Sequence, residues 1–344
     1  MTIKENVSFK ELTTFKAGGQ ARFLVIAEVD EVPEAVRFAE DKNLPIVPLG
    51  GGSNILAPEG LLNAVFLKIS SQTISSSEEE DTITLTVEAG HDWDSVVSFA
   101  VRKGWWGFEN LSGIPGTVGA AVVQNIGAYG VALEETFVAA EVYDVKEKKM
   151  RTFEKNDVRF NYRTSLFKEE PDRYIICSIT FRLSTMPRPR IEYRDLKTHF
   201  ESLGEEPAIE TIRKAVLTIR QGKFPPLAEY GTAGSFFLNP VLPNEEALEI
   251  QSAFPGMPLF PMPEGGTKVP LAWILDHVLA LKGMRVDEAF LWSEQPLVVA
   301  ADSGVHTNAI LTLADRVRDA VQEKTGIIIH PEVRILAREK KFQN

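Results

Sequence analysis

Gly50-Gly51-Gly52-Ser53-Asn54 directly follows a short apolar run, Pro45 to Leu49. Successive peptide N–H groups in such a turn can converge on an anion, which makes the segment a candidate nest for a diphosphate. A plain strand-terminating turn is the alternative. Gly113-Ile114-Pro115-Gly116-Thr117-Val118-Gly119 offers a second set of amides that a ligand can approach closely. Two such loops in one domain suit a ligand with two ends and a pyrophosphate between them, a dinucleotide. Three polar islands accompany them. Asn161-Tyr162-Arg163-Thr164-Ser165 sets a guanidinium among hydroxyls. Gly231-Thr232-Ala233-Gly234-Ser235-Phe236-Phe237 opens a strand with a hydroxyl between glycine and aromatics. His330-Pro331-Glu332-Val333-Arg334 puts a carboxylate in a β-branched run. Taken singly, each also reads as a local salt bridge, a turn serine or an edge-strand charge.

Other chemistries are excluded by pattern. The chain has no G-x-x-x-x-G-K-[ST], no H-E-x-x-H, no G-x-S-x-G and no strand-borne G-x-G-x-x-G. His91, His199, His277, His306 and His330 show no ligand spacing, so no metal site is expected. A single cysteine, Cys177, rules out a disulfide framework and any Cys-rich metal site. The net charge of −11 argues against a general nucleic-acid or anionic-membrane binder, but leaves room for a local basic pocket around one phosphorylated ligand. The N-terminus lacks the apolar core of a signal peptide, and no apolar run is long enough to span a bilayer. A soluble α/β protein of a reducing compartment, with about two or three domains for its 344 residues, is expected.

The elements that must position these residues follow from periodicity. Phe23 to Ala27, Pro45 to Leu49, Ala64 to Ile69 and Thr82 to Val87 read as strands. Val32, Ala35, Val36 and Ala39 mark a helix with Asp30 as its N-cap and Pro33 in its first turn. The polar stretch SSQTISSSEEED reads as a solvated loop and a domain boundary. A helix from Asp92 to Val101 closes at Gly104, and strands are expected at Phe137 to Val145, Lys149 to Phe153 and Tyr174 to Leu183. MPRPRIEYRDL reads as a linker or loop, followed by a helix from Ala208 to Ile219. Beyond Lys223-Phe224-Pro225-Pro226 come a strand at Ser235 to Leu238, helices at Glu245 to Ala253 and Val269 to Leu281, and a strand at Pro296 to Ala301. A helix from about Asn308 to Lys324 is closed by Gly326. A last strand, Ile327 to Leu336, is interrupted by Pro331 and is expected at an edge.

LGGGSN (49–54), GIPGTVGAAVVQNIGAYG (113–130), NYRTSLFK (161–168), GTAGSFFLNP (231–240), LKGM (281–284) and HPEVRIL (330–336) occur in one order. With them the chain resembles the MurB family, the UDP-N-acetylenolpyruvoylglucosamine reductases of bacterial cell-wall synthesis, from about Thr14 to Leu336. The resemblance implies an α+β fold with the FAD-binding architecture of the vanillyl-alcohol-oxidase (PCMH) type. Two subdomains clasp FAD, residues 1–70 joined by 329–344, and 71–224; an α+β substrate-binding domain spans 225–328. It implies non-covalent FAD, held by Gly50, Gly51, Gly52, Ser53 and Asn54 and by Gly113, Ile114, Pro115, Gly116, Thr117 and Gly119. Gln124, Asn125, Gly127, Ala128, Tyr129, Gly130 and Arg334 would lie near the flavin.

The resemblance further implies NADPH as co-substrate, a UDP-sugar substrate, a cytoplasmic bacterial location and no obligate protein partner. Its reaction transfers hydride to C3 of an enolpyruvyl ether, so negative charge builds at C2 and the adjacent carboxylate. Stabilising that charge is the large task for the protein. Arg163 and Glu332 are the implied pair, and Glu332 must carry a proton or share a hydrogen bond to avoid repelling the anion. Ser235 would protonate C2. The PRPRIEYRDL segment is similar to the family form with a tyrosine loop, in which Tyr193 closes over the substrate. Tyr162, Lys223, Asn239 and Lys282 would bind the nucleotide. Where relatives carry a lysine between the Phe pair and Asn-Pro, this chain has Leu238. Two other functions stay open on the residues: a flavin oxidase of the same fold, and a non-catalytic sugar-nucleotide binder.

Overall fold

The computed structural model describes residues 1–204, 206–263 and 265–337. Its first sheet has the order Thr2–Ser8, Gln20–Ala27, Leu61–Ile69, Ile46–Pro48. The first pair is antiparallel and the other two are parallel. Helix Val32–Asp41 makes the crossover and buries Val32, Ala35, Val36 and Ala39, the stripe expected from the spacing. It starts later than Asp30. A 3₁₀ turn, Val29–Glu31, precedes it, and the Glu31 carboxylate takes the Glu28 N–H instead.

The second sheet has five strands in the order Lys149–Glu154, Phe137–Asp144, Tyr174–Ser184, Thr82–Glu88, Ile74–Glu79, with every neighbour antiparallel. The stretch expected as a loop therefore contains its edge strand. Ile74–Glu79 shows polar side chains on both faces, which removes the period-2 signal, and a turn at Glu80 (φ 52°) returns it onto Thr82–Glu88. Helix Trp93–Arg102 packs over this sheet, its Asp92 side chain capping the Ser95 N–H at 2.8 Å. Trp93, Phe108 and Phe181 form the aromatic centre of the largest core. The two sheets meet through Leu67, Ile175 and Cys177, one continuous apolar cluster.

The remaining chain builds a four-stranded sheet ordered Gly231–Ser235, Val298–Ala301, Ala289–Leu291, Arg285–Val286, with helix Thr307–Thr325 in its core cluster. Three expectations change here. The serine strand runs Gly231–Ser235, so Ser235 ends it, at an irregularity beside Gly234 (φ +75°). The helix expected over Val269 to Leu281 shrinks to Leu271–Trp273 followed by a π turn, Ile274–Val278. Only Arg334–Ile335 of the terminal run is a strand, parallel to Ile55–Leu56, because Pro331 cannot donate to a ladder. The linker at 186–196 ends earlier than expected, since Arg194 already starts the helix Arg194–Leu203. Residues 338–344 of the expected joining tail lie outside the described residues.

Candidate active site

The two glycine loops face each other across one cavity of about 810 Å³. They are in contact: Ser53 Oγ donates to the Pro115 carbonyl at 2.9 Å. A Cβ on Gly50 would lie 2.7 Å from Thr117 Oγ1 and 2.9 Å from Ala120 Cβ, and one on Gly51 would lie 2.9 Å from Gly116 Cα. Gly52 has φ +66°, and a Cβ there would run into the Leu12 carbonyl. A side chain at Gly50 or Gly51 would push the two loops apart, and one at Gly52 would displace the chain at Leu12 and Thr13. The second loop is braced from behind, where Asp94 accepts the Gly113 N–H at 2.6 Å and Arg220 Nε donates to the Gly113 carbonyl at 3.1 Å. Arg213 pairs with Asp94 through both carboxylate oxygens, at 2.6 and 2.8 Å. Burial alone would raise the Asp94 pKa, but Arg213 and the Gly113 N–H outweigh it and leave the carboxyl below its usual range.

Arg163, Ser235 and Glu332, far apart in sequence, all line this cavity. Arg163 sits in a left-handed turn (φ 55°) closed by reciprocal Asn161–Thr164 backbone bonds. One of its amino groups donates to the Gly127 carbonyl at 2.6 Å, and its Nε lies 3.5 Å from Glu332 Oε1. At that distance the contact is one of charge, and the buried Nε has no hydrogen-bond partner among the described residues. Lys168 donates to the Arg163 carbonyl at 2.8 Å and to Gln124 Oε1 at 2.9 Å. Glu332 is fixed by its backbone: its N–H bonds the Phe236 carbonyl at 2.8 Å, and its carbonyl accepts from Asn54 Nδ2 at 3.1 Å. Arg334 follows, its N–H on the Asn54 carbonyl at 3.0 Å and its guanidinium on both Asp172 oxygens at 2.8 Å.

The other expected residues divide. Gly50, Gly52, Ser53, Asn54, Gly113, Ile114, Pro115, Thr117, Gly119, Gln124, Gly127 and Ala128 line the cavity. Gly51 and Gly116 pack on each other. Asn125 is turned to a structural task, joining the Asn161 carbonyl at 3.0 Å to the Glu134 N–H at 3.2 Å. Tyr129 packs edge-on against Tyr193 at 5.4 Å, and burial pushes its phenol up to about 12, a neutral group at physiological pH. The Gly130 carbonyl accepts from Arg190. Asn239 Nδ2 reaches the Tyr162 hydroxyl at 3.4 Å, and Lys223 is ion-paired with Asp195. Lys282 is not brought to this group; it pairs with Asp276 at 2.7 Å on the surface.

Several cations were missed by sequence reading: Lys68 and Arg220 line the cavity, and Lys268 sits 5.5 Å over the Tyr162 ring. Lysine in a short strand carries no pattern that separates burial from solvation. With Arg163 and Arg334, the lining holds four cations against two carboxylates, Asp172 and Glu332, an excess of two positive charges in a chain of net −11. Such a pocket favours an anionic ligand. No His or Cys among the described residues lines it, and Cys177 is buried with its thiol pushed up to about 12.

Residues 21–152 match the family model for an FAD binding domain, and residues 225–336 match the C-terminal domain of UDP-N-acetylenolpyruvoylglucosamine reductase. The UDP-N-acetylenolpyruvoylglucosamine reductase of Pseudomonas aeruginosa is 35% identical, covering 96% of this chain and 98% of its own. That of Cutibacterium acnes is 36% identical over 96% of this chain and 90% of its own. The chain belongs to the UDP-N-acetylenolpyruvoylglucosamine reductase family. Among solved structures, the MurB of Thermus caldophilus superposes with a TM-score of 0.69, at 23% identity, over 98% of this chain and all of the other. The shared architecture is the α+β FAD-binding fold expected from the motifs. The family's cofactor fits the cavity: both glycine loops line it, and the lining carries surplus positive charge.

Proposed function

We propose that the chain reduces the enolpyruvyl ether of UDP-N-acetylglucosamine enolpyruvate to UDP-N-acetylmuramate, with non-covalent FAD in the cavity and NADPH as reductant. The observation that carries this reading is the convergence of Arg163, Ser235 and Glu332 on the cavity that both glycine loops line. FAD supplies the hydride route from NADPH to C3 of the ether; the chain's own residues do the rest. Arg163 holds the substrate carboxylate with the donors that Gly127 leaves free, and its charge offsets the anion growing at C2. Glu332, 3.5 Å from Arg163, shares the guanidinium and takes part through a proton or a hydrogen bond to the developing enolate. Ser235, at a strand end in the cavity lining, is the group that delivers a proton to C2. Tyr162, Asn239 and Lys268, which contact one another, are suited to the nucleotide diphosphate together with Lys223, and Lys268 would supply the charge that Leu238 does not.

The three sheets accord with a division into 1–70 with 329–344, 71–224 and 225–328, in which the last part covers the substrate. No helix among the described residues is long and apolar enough to cross a membrane. A cytoplasmic enzyme is the reading we adopt, because its nucleotide substrates are made there. A flavin oxidase of the same fold would want a tethering His or Cys in the cavity, and a mere binder would not need Ser235 beside the Arg163–Glu332 pair.

Ser235→Ala tests the assignment by separating the two half-reactions. Reduction of the bound flavin by NADPH needs no proton from Ser235 and should stay near the wild-type rate. Reoxidation by the enolpyruvyl substrate should fall by about 10²–10⁴, the worth of a positioned acid. Stopped-flow absorbance of the flavin reads both steps. Wild-type reoxidation in Ser235→Ala would show that the proton comes from another group.

A further inference from the structure

Of the four cations that line the cavity among the described residues, three are already engaged. Arg163 lies against Glu332 and the Gly127 carbonyl, Arg334 is ion-paired with Asp172, and Arg220 holds the Gly113 carbonyl. Lys68 is half-buried in the lining, and no hydrogen bond or ion pair to its ammonium occurs among the described residues. Burial alone acts on it and lowers its pKa; no carboxylate lies close enough to oppose that. A desolvated ammonium without a partner costs stability, so its retention calls for a ligand anion.

Its position says which anion. Lys68 lies at the C-terminal end of the parallel strand Leu61–Ile69, where Pro48 pairs with Leu67 and the Leu49 N–H bonds the Leu67 carbonyl at 2.8 Å. The next residues of the neighbouring strand are Gly50 to Asn54. Lys68 therefore flanks the first glycine loop. That loop offers amide dipoles only, whereas a dinucleotide diphosphate brings about two full negative charges to the same place. We propose that Lys68 is the side-chain counter-charge for the diphosphate of the bound dinucleotide, completing the backbone nest at Gly50–Asn54. The proposal rests on the flavin reading of the cavity and adds to it a residue that reads charge.

The test uses the full chain with its flavin. FAD release on serial dilution, followed by flavin fluorescence from low to high ionic strength, gives the dissociation constant for wild type, Lys68→Met and Lys68→Arg. Lys68→Met should raise it about 10–100-fold, the worth of a charge-assisted hydrogen bond, and flatten its salt dependence. Lys68→Arg, which keeps the charge, should retain most of the affinity. Riboflavin, which has no phosphate, should bind flavin-stripped wild type and Lys68→Met equally. The stripped variant should melt no lower than stripped wild type, since it loses an uncompensated buried charge. Equal weakening of riboflavin and FAD would overturn the proposal, because shape rather than charge would then be at stake. An unchanged FAD dissociation constant would sink the role of Lys68 alone, while a wild-type chain that binds no FAD would sink the flavin reading with it. Should Lys68→Met not fold, Lys68→Gln carries the same expectations.

Discussion

Lys168 offers the sharpest test of how the reactive arginine is held. Its ammonium bonds the Arg163 carbonyl at 2.8 Å and Gln124 Oε1 at 2.9 Å, so one side chain spans the arginine turn and the cavity-lining segment at Gln124. Arg163 occupies φ 55°, a left-handed conformation that costs an L-residue about 1–2 kcal/mol. A hydrogen bond from a charged donor contributes about 1.5–3 kcal/mol, enough to offset that strain. Lys168→Met removes the bond and leaves the turn to the Asn161–Thr164 pair, to Asn125 on the Asn161 carbonyl and to the guanidinium on Gly127. These keep the chain folded but not the carbonyl fixed. A loss of about 1.5–3 kcal/mol in the productive Arg163 geometry corresponds to reoxidation slower by about 10–100-fold. Flavin reduction by NADPH, in which no charge builds beside Arg163, should change by less than about threefold. Stopped-flow absorbance separates the two steps, and flavin occupancy of the purified variant reports the fold. Burial lowers the Lys168 pKa, Glu332 raises it and Arg163 lowers it further; a planar guanidinium does not reproduce the two bonds of a compact ammonium, so Lys168→Arg should rescue poorly. Reoxidation of Lys168→Met within about threefold of wild type would refute the reasoning, as would an equal loss in both half-reactions with poor flavin loading.

Gly52→Ala should strip the chain of flavin and cost about 2–4 kcal/mol of stability, because its Cβ would meet backbone rather than a movable side chain, whereas Gly234→Ala, at φ +75° in open space, should cost only about 1–2 kcal/mol; melting curves and flavin absorbance compare them. Asp94→Asn should lower the melting temperature at neutral pH by the equivalent of about 1–2 kcal/mol. The folded Asp94 carboxyl is held below its unfolded pKa of about 3.9, so its contribution is whole above that value and fades as pH falls through the folded one. The gap between wild type and Asp94→Asn should therefore be constant from about pH 7 to pH 5 and close below about pH 4; a constant gap through that acid range would clear Asp94 of the role.

What the sequence announces are the features that cost something to keep. Glycines at 50–52 and 113–119 announce themselves because no side chain fits there, and the amphipathic stripe at Val32 to Ala39 because burial demands it. The strand Ile74–Glu79 was hidden because an edge exposed on both faces needs no alternation, and the same holds for Thr2–Ser8, exposed along most of its length. The π turn at Ile274–Val278 keeps its apolar residues near helical spacing, and the difference in hydrogen-bond register leaves no compositional trace. Pairs such as Arg334 with Asp172, 162 residues apart, arise from tertiary placement alone. For that reason the triad was legible through motifs, as was Lys168 at the end of NYRTSLFK though not its bond to the Arg163 carbonyl, while Lys68 and Lys268 were not.

One consequence follows from where Glu332 hangs. Its N–H is bound to Phe236, next to Ser235, and its carbonyl to the side chain of Asn54, in the first glycine loop. The same short segment continues with Leu238 N–H on His330 and Arg334 N–H on Asn54. The segment 330–336 stitches the loop to the serine strand here, and Thr14 makes a second link, its N–H on the Gly52 carbonyl at 3.2 Å and its carbonyl accepting the Thr232 N–H at 3.0 Å. Two ladder residues, Arg334 and Ile335, suffice because each flanking residue is held by a different partner. A change that loosens Asn54 should then be felt at Phe236, next to Ser235, as well as in the first glycine loop, since Glu332 binds both. Through this backbone residue the first glycine loop is joined to the neighbour of Ser235, and the Glu332 side chain lines the same cavity as both.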